Sequence, residues 1–367
     1  MNAPSPARPS VLVVVPWLMG GGAQKALEAL LARLDPVDVS LLVLFRGSTD
    51  VAAVARHASK VTELDQPRSV LGVLVAARGA VRAARDADAI YSLMRASHVV
   101  LGVRARAVRR SAGSVVCSFH QLPSADEGGG GGAARVRARL ESVLVRRLTR
   151  RADLVTAPSR RAVEEIVARR FADRGRATFE ANEVATVAME DVPARDGFAD
   201  EVRLAFAGRL TDQKGLDRLP GLLADLDCPL HLRIAGTGPE EQDLRVALSS
   251  LPTGVTVTFE GPLADVTPLL DWCDAILMPS RAELNPVVVA EARRRSRGLL
   301  GSRIPAFVDL AEEGGVRLFA DGPELVARIA ELREPETRRR LSGEAFAAAT
   351  RRDGPSRIIE ALRTETT

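Results

Sequence analysis

Four charged residues in the second half of the chain are spaced to hold one anion and the hydroxyl groups around it. Arg209 follows the apolar run Val202–Ala207 and Gly208, and Lys214 comes five residues later. Arginine offers a planar fork of donors and lysine a compact charge, so the two together suit a single polyanion. Glu283 and Glu291 stand eight residues apart in the stretch Pro279-Ser280-Arg281-Ala282-Glu283-Leu284-Asn285-Pro286-Val287-Val288-Val289-Ala290-Glu291. Asn285 reads there as an N-cap and Pro286 as the first helical residue. The N–H groups of Val287 and Val288 then add to an anion site at the helix start. The two carboxylates would flank that anion at different heights, one near a sugar and the other near a ribose.

Three further features carry weaker signals. Gly236-Thr237-Gly238-Pro239-Glu240 is a glycine-rich turn opening a helix, able to approach a phosphate or a nucleobase, though most such turns only join elements. Gly20-Gly21-Gly22-Ala23-Gln24-Lys25 follows the run Val11–Val15. It fits a dinucleotide fingerprint poorly, because the third glycine or alanine is missing from its place. His120 follows the run Ser114–Phe119, and a lone histidine is more often structural than functional. Taken singly, the plain reading of Arg209, Lys214, Glu283 and Glu291 is also that of solvated charges near strand and helix ends.

The elements that must position these residues alternate. Continuous apolar runs at Val11–Val15, Val39–Phe45, Ala89–Met94, Ser114–Phe119 and Leu154–Ala157 predict buried parallel strands, with helices at Ala23–Leu34, Ser97–Ala107, Arg135–Arg151 and Arg160–Arg170 between and after them. Ser159 is the expected N-cap of the last of these. Residues 174–200 lack periodicity and predict a linker. A second series follows. Strands are expected at Val202–Ala207, Leu230–Ala235, Val255–Phe259, Ala275–Met278 and Leu299–Gly301. Helices are expected at Leu216–Leu226, Glu240–Ser250, Val266–Trp272, Pro286–Arg295, Glu324–Leu332 and from Glu336 onward. Two such series imply two Rossmann-like, doubly wound parallel-sheet domains of the α/β class, facing across a cleft, with ligands at the carboxyl ends of the strands.

Composition excludes other classes. At 367 residues and 46% apolar content the chain supports more than one core, and a net charge of +4 does not demand a nucleic-acid partner. Aromatic residues are only 4%, too few for a base-stacking surface. Cys117, Cys228 and Cys273 lie far apart without metal-ligand spacing, as expected of a reduced protein with no metal site. No apolar run reaches the roughly 18 residues of a spanning helix.

Taken in order, Gly208-Arg209-Leu210, Lys214-Gly215, Gly236-x-Gly238-Pro239-Glu240, Phe259-Glu260-Gly261 and Pro279-Ser280-x-x-Glu283 with Glu291 resemble retaining nucleotide-sugar glycosyltransferases of the GT4 type (glycosyl transferases group 1). The resemblance is close from Ala205 to Glu291 and loose elsewhere. It implies the GT-B fold, with residues 1–185 as the acceptor-side domain, 200–350 as the donor-binding domain, and a C-terminal helix at about 352–367 returning to the first. It implies Arg209 and Lys214 on the donor diphosphate, Glu283 on the donor sugar and Glu291 on the ribose. Pro286 and the Val287 N–H would meet phosphate or sugar, and the loop from Phe259 to Leu263 would lie against the base. Gly21 and Gly22 resemble the family's loop facing the donor phosphates, and His120 its active-site histidine beside the transferred sugar.

The function so implied is transfer from a nucleoside-diphosphate sugar, expected to be UDP-linked, to a hydroxyl of a small molecule such as a bacterial natural product. No cofactor or metal is required, no nucleic acid is a partner, and the location is cytoplasmic. A membrane-surface glycolipid acceptor is the alternative, drawn by the basic amphipathic helix 135–151 toward the inner membrane face; a catalytically silent binding subunit and a sugar-nucleotide epimerase or hydrolase are the others. Two departures stand out. Arg293-Arg294-Arg295-Ser296-Arg297 intervenes where the family has small residues, which leaves the helix end and the following loop open, with a solvated face as the plain reading of the charges. Asn182-Glu183-Val184 lacks the usual proline.

Overall fold

The computed structural model describes residues 8–123, 132–182, 184, 201–351 and 355–363. The chain divides into two compact units, residues 1–183 with 355–367, and residues 184–354. Each is a doubly wound, Rossmann-like parallel sheet.

The first unit has seven strands: β1 (Ser10–Val15), β2 (Asp38–Phe45), β3 (Lys60–Gln66), β4 (Ala89–Leu93), β5 (Ser114–Ser118), β6 (Leu154–Ala157) and β7 (Ala177–Phe179). Their order is β3-β2-β1-β4-β5-β6-β7, every neighbouring pair parallel. The β-branched run of β1 is buried on both faces, as the centre of a parallel sheet demands. β3, the helix Val70–Ala83 and β7 have no counterpart in the expected elements. β3 (KVTELDQ) is a half-exposed edge strand, so it lacks a continuous apolar run, and β7 lies inside the segment expected to be linker. The helix Arg357–Arg363 belongs to this unit: Ile358, Ile359 and Leu362 join the core of Val11, Leu27 and Tyr91. Its Arg363 donates to the backbone oxygens of Arg33 and Asp35, at 2.6 and 2.9 Å, beyond the end of the helix Gly22–Ala32.

The second unit has six strands: β8 (Val202–Ala207), β9 (Leu230–Ala235), β10 (Val255–Gly261), β11 (Ala275–Met278), β12 (Gly298–Ser302) and β13 (Val316–Phe319), in the order β10-β9-β8-β11-β12-β13. Two apolar clusters cover its opposite faces, one around Leu204, Phe206 and Leu277, the other around Ala205, Ile276 and Leu299. β13 and the helix Pro305–Glu313 were not expected. The expected helix Leu216–Leu226 is instead a 3-10 turn followed by a single helical turn, Leu219–Leu222, because Pro220 and Gly221 fall where its interior would be.

The same short device ties both sheets at the amino ends of their strands. Asp88, just before β4, accepts from the Ser10 N–H at 2.8 Å; Asp153, before β6, from the Val115 N–H at 2.8 Å; Asp274, before β11, from the Arg203 N–H at 2.8 Å. Each carboxylate satisfies a backbone donor at the start of a neighbouring strand, where the ladder leaves one over.

Candidate nucleotide-sugar site

In the second unit, chain order reverses between β8 and β11: β9 and β10 lie to one side of β8, and β11 to the other. Loops diverge at such a point and leave a crevice at the carboxyl ends of the strands. Gly208 to Lys214 follow β8 there, Gly236 to Gly238 follow β9, Leu263 follows β10, and Ser280 to Val287 follow β11. The residues singled out in the sequence of this half therefore lie at the carboxyl ends of four adjacent strands, with Glu291 further along the helix that continues from the last loop.

Lys214 and Glu283 meet. Lys214 Nζ lies 2.6 Å from Glu283 Oε1, and both side chains are largely buried. Ser280 Oγ donates to the same oxygen at 3.0 Å, and Ser302 Oγ fixes the Ser280 carbonyl at 2.5 Å. Arg209 is exposed and has no ion-pair partner among the described residues. The pair thus holds one cation in place beside a carboxylate, while the other remains open to an incoming anion.

The glycines of these loops have a packing reason. Gly236 (φ +130°) passes so close to the Gly208 carbonyl that a Cβ would sit 1.8 Å from its oxygen, and a Cβ on Gly238 would sit 2.0 Å from Leu210 O. The turn is laid flat on the loop after β8, with Leu210 N–H donating to Thr237 O at 2.9 Å and Gly236 N–H to Gly261 O at 2.7 Å. These glycines shape the floor that carries Arg209. Glu260, in the loop expected against a base, is taken by Arg233 at 2.6 Å, which holds its carboxyl below the usual range. Leu263, two residues past β10, is half-buried.

The helix after β11 runs from Val287 to Arg294, and its N-cap is Pro286, not Asn285. Pro286 has an extended backbone (ψ 125°), so the helix begins one residue later than expected, and Asn285 is buried in the loop before it. The first-turn N–H groups of Val287 and Val288 still lack intrahelical acceptors, as at every helix start. Glu291 is half-buried one turn on.

The expected solvated face at Arg293–Arg297 is wrong. Arg293 is fully buried; it pairs with Glu313 at 2.7 Å and donates to Leu310 O at 2.6 Å and Gly314 O at 2.7 Å. Arg295 forks onto Asp271 at 2.6 and 2.7 Å, and Arg297 donates to Leu270 O and Asp271 O. Carbonyls at the carboxyl ends of two neighbouring helices need donors and attract cations, and these arginines supply both.

In the first unit, Gly20, Gly21 and Gly22 follow β1 at its own switch point beside β4. Gln24 is buried and braces the loop: its Oε1 accepts from the Gly20 N–H at 2.8 Å, and its Nε2 donates to Asp50 Oδ2 at 2.7 Å. His120 sits just past β5, its Nε2 3.2 Å from Ser118 Oγ, in a small pocket with Tyr91, Pro158, Glu180 and Asn182. Burial pushes its pKa down to about 4. His98, unremarked in the sequence, is fully buried with Nε2 3.1 Å from Ser92 O, and burial pushes it too down to about 4. The Ser159 N-cap is as expected, accepting from the Ala162 N–H at 3.1 Å. Glu183 lies outside the described residues. Among the described residues, no cluster of three or more His, Cys, Asp or Glu side chains could hold a metal ion.

Residues 201–334 match the family described as Glycosyl transferases group 1. A stretch of 86 residues is 40% identical to the glycogen synthase of Cellvibrio japonicus (strain Ueda107), spanning 22% of this chain and 18% of that protein's length. Over nearly the whole chain the fold is that of HepE from Anabaena, solved in complex with UDP (TM-score 0.75, 19% identity, 97% of each chain). It is also that of sucrose-phosphate synthase from Thermosynechococcus elongatus (TM-score 0.69, 17% identity, 94% of each chain). The chain therefore has the two-unit GT-B fold, and residues 201–334 of its second unit match the Glycosyl transferases group 1 family.

Proposed function

We propose that the chain is a retaining glycosyltransferase that moves a sugar from a nucleoside-diphosphate donor, UDP-linked, to a hydroxyl of a small-molecule acceptor, with the second unit holding the donor and the first the acceptor. The observation that carries the reading is the Lys214–Glu283 contact at the switch point of the second sheet, with Arg209 open at the adjoining loop. HepE of Anabaena has been solved with UDP, with UDP-glucose, and with UDP and glucose, which supports the choice of UDP.

The chemistry follows from these groups. An arriving diphosphate draws on Arg209, on the Val287 and Val288 N–H groups and on Lys214, which turns from Glu283 toward the anion. Glu283 is thereby released to accept from sugar hydroxyls, and Glu291 binds the ribose. The bond from the anomeric carbon to the phosphate oxygen breaks, and the cations stabilise the charge that develops on the departing diphosphate. The acceptor oxygen attacks from the same face, and its proton passes to the leaving phosphate, so the anomeric configuration is kept. His120, neutral at physiological pH, serves as a polar contact to the sugar and not as the base. No bound metal or cofactor is called for.

A second reading concerns the acceptor. The helix Gly132–Thr149 exposes Val136, Leu140 and Val143 among Arg135, Arg137, Arg139 and Arg147, and the helix Val70–Ala83 exposes Val70, Leu71, Leu74 and Val75. Such faces suit an anionic lipid surface and a lipid-linked acceptor. Among the described residues no helix is long and apolar enough to cross a membrane.

The deciding test of the donor assignment is a thermal-shift series with UDP, GDP, ADP, TDP and NAD at equal concentration. A ligand at about 100 times its Kd stabilises by about 2.7 kcal/mol. A selective rise with UDP is expected, and no rise with any nucleoside diphosphate would remove the donor site.

A further inference from the structure

Two charged residues outside the diphosphate and sugar contacts join the loops that carry them. Arg281 forks onto Asp217, with Nη1 and Nη2 each 2.6 Å from one carboxylate oxygen. The same guanidinium donates to Asp212 O at 2.7 Å, and the Arg281 N–H donates to Gln213 O at 2.8 Å. Gln213 returns a bond to Ala282 O at 2.8 Å. Each partner of this brace is one to three residues from Lys214 or Glu283. Gly215, at φ +68°, lies where a Cβ would fall 2.2 Å from Pro279 O, so the two loops are in backbone contact beside the brace. The Asp217 carboxyl is held below the usual range, chiefly by its bonds to Arg281.

We propose that Asp217 and Arg281 are positioning residues for the donor site: together they hold the turn carrying Lys214 against the loop carrying Glu283, and so set where the two side chains meet. The inference rests on the donor reading given above. Both side chains are more than a third exposed. Exposed pairs add little to global stability, so a bidentate fork kept at this junction is better explained by geometry than by folding. Arg218 Nη1 also crosses the junction, donating to Pro279 O at 3.1 Å, but only Arg281 among the described cations of the two loops makes a bidentate fork onto a carboxylate of the other loop. A displacement of about 1 Å in groups that contact a reacting phosphate costs up to ~100-fold in rate, which is the scale on which such a brace matters.

The test uses Arg281→Ala, Asp217→Asn and the double variant Asp217→Asn/Arg281→Ala, in the full chain. Asp217→Asn is isosteric and guards against a variant that simply fails to fold. Two readouts are taken: backbone amide exchange of segments 212–218 and 280–285, and kcat and KM for consumption of a UDP-linked sugar. Each single variant is expected to speed exchange in both segments and to lower kcat about 10- to 100-fold, with donor KM changed much less. The double variant is expected to lose no more than the worse single one, as a pair acting as one unit does. Unaltered exchange in both segments overturns the brace. Faster exchange with full kcat, or losses that add, overturns its positioning role. A wild-type chain that neither binds UDP nor consumes the UDP-linked sugar overturns the donor reading itself, which the exchange result keeps distinct.

Discussion

Lys214 Nζ stands 2.6 Å from Glu283 Oε1, across 69 residues of sequence, at the one place where the second sheet reverses its strand order. The contact neutralises a cation that would otherwise sit largely buried and unpaired, and it keeps a carboxylate from ionising alone in the same surroundings. It also couples the two loops: whatever draws Lys214 away frees Glu283.

That coupling gives the first prediction. Arg209→Ala and Lys214→Ala should each lower kcat by about 100- to 1,000-fold, the usual cost of one electrostatic donor at a developing charge. Lys214→Ala should also destabilise the chain, since it strands the buried Glu283, whereas Arg209→Ala should leave Tm nearly unchanged. Glu291→Ala should weaken free UDP, and Glu283→Ala should act mainly on the sugar-bearing donor. Steady-state kinetics with calorimetric titration of UDP checks the set, and equal losses of free-UDP affinity in both glutamate variants would remove the division of roles.

Gly236→Ala should damage the loop after β9 by steric means alone. The added methyl would meet Gly208 O at 1.8 Å, and φ is +130°. Backbone strain of this kind costs about 1–3 kcal/mol, which for a unit of this size lowers Tm by roughly 2–4 °C per kcal/mol. Calorimetry should show the loss, and Gly221→Ala, whose methyl meets nothing within 4 Å, serves as the control.

His98 should make the first unit acid-sensitive above the range of its carboxylates. Its pKa falls from 6.5 to about 4 on folding, so between those values the unfolded chain carries the proton and the folded one does not. Stability is therefore intact above about pH 6.5 and drains away as pH falls to about 4; the shift corresponds to about 3 kcal/mol. Denaturant midpoints measured from pH 7 to pH 4 should show this slope together with a like contribution from His120, so His98→Gln should about halve it. A slope unchanged in that variant would assign the effect elsewhere.

If the acceptor is lipid-linked, the two apolar helix faces should bind bilayers. Vesicles with anionic headgroups should co-sediment the protein at low salt and release it as salt rises. The double variant Leu71→Glu/Leu140→Glu should stay in the supernatant. Wild-type protein that remains in the supernatant at low salt would favour the small-molecule acceptor.

How much of this was legible beforehand differs by element. The apolar runs of β1 and β11 are unmistakable because a parallel strand buried on both faces has no polar positions to confuse it, and β8 and β9 read through their single half-buried Arg203, His231 and Arg233 positions because the residues between them are buried and apolar. β3 escaped because an edge strand carries polar residues on its open side and reads as loop, and β13 because it is only four residues long and interrupted by Arg317. The Gly215 turn, the brace of Asp217 with Arg281, and the buried histidine at position 98 gave no signal, since each depends on residues far apart in sequence or on burial alone.

Residue type and local spacing determined that helices begin after Ser159 and near Pro286 and that the strands alternate with helices in two series, whereas the grouping of Arg209, Lys214, Glu283 and Glu291 came from the resemblance. These are matters of backbone preference and of apolar period, which act over a few residues. Tertiary structure alone decided which charges meet. It set Lys214 on Glu283 and left Arg209 open. It turned the Arg293–Arg297 run inward to serve the carbonyls of two helix ends, and it took Glu260 for Arg233. A charge's partner is chosen by the crossing of strands and the desolvation that follows, and neither is written in the order of residues beside it.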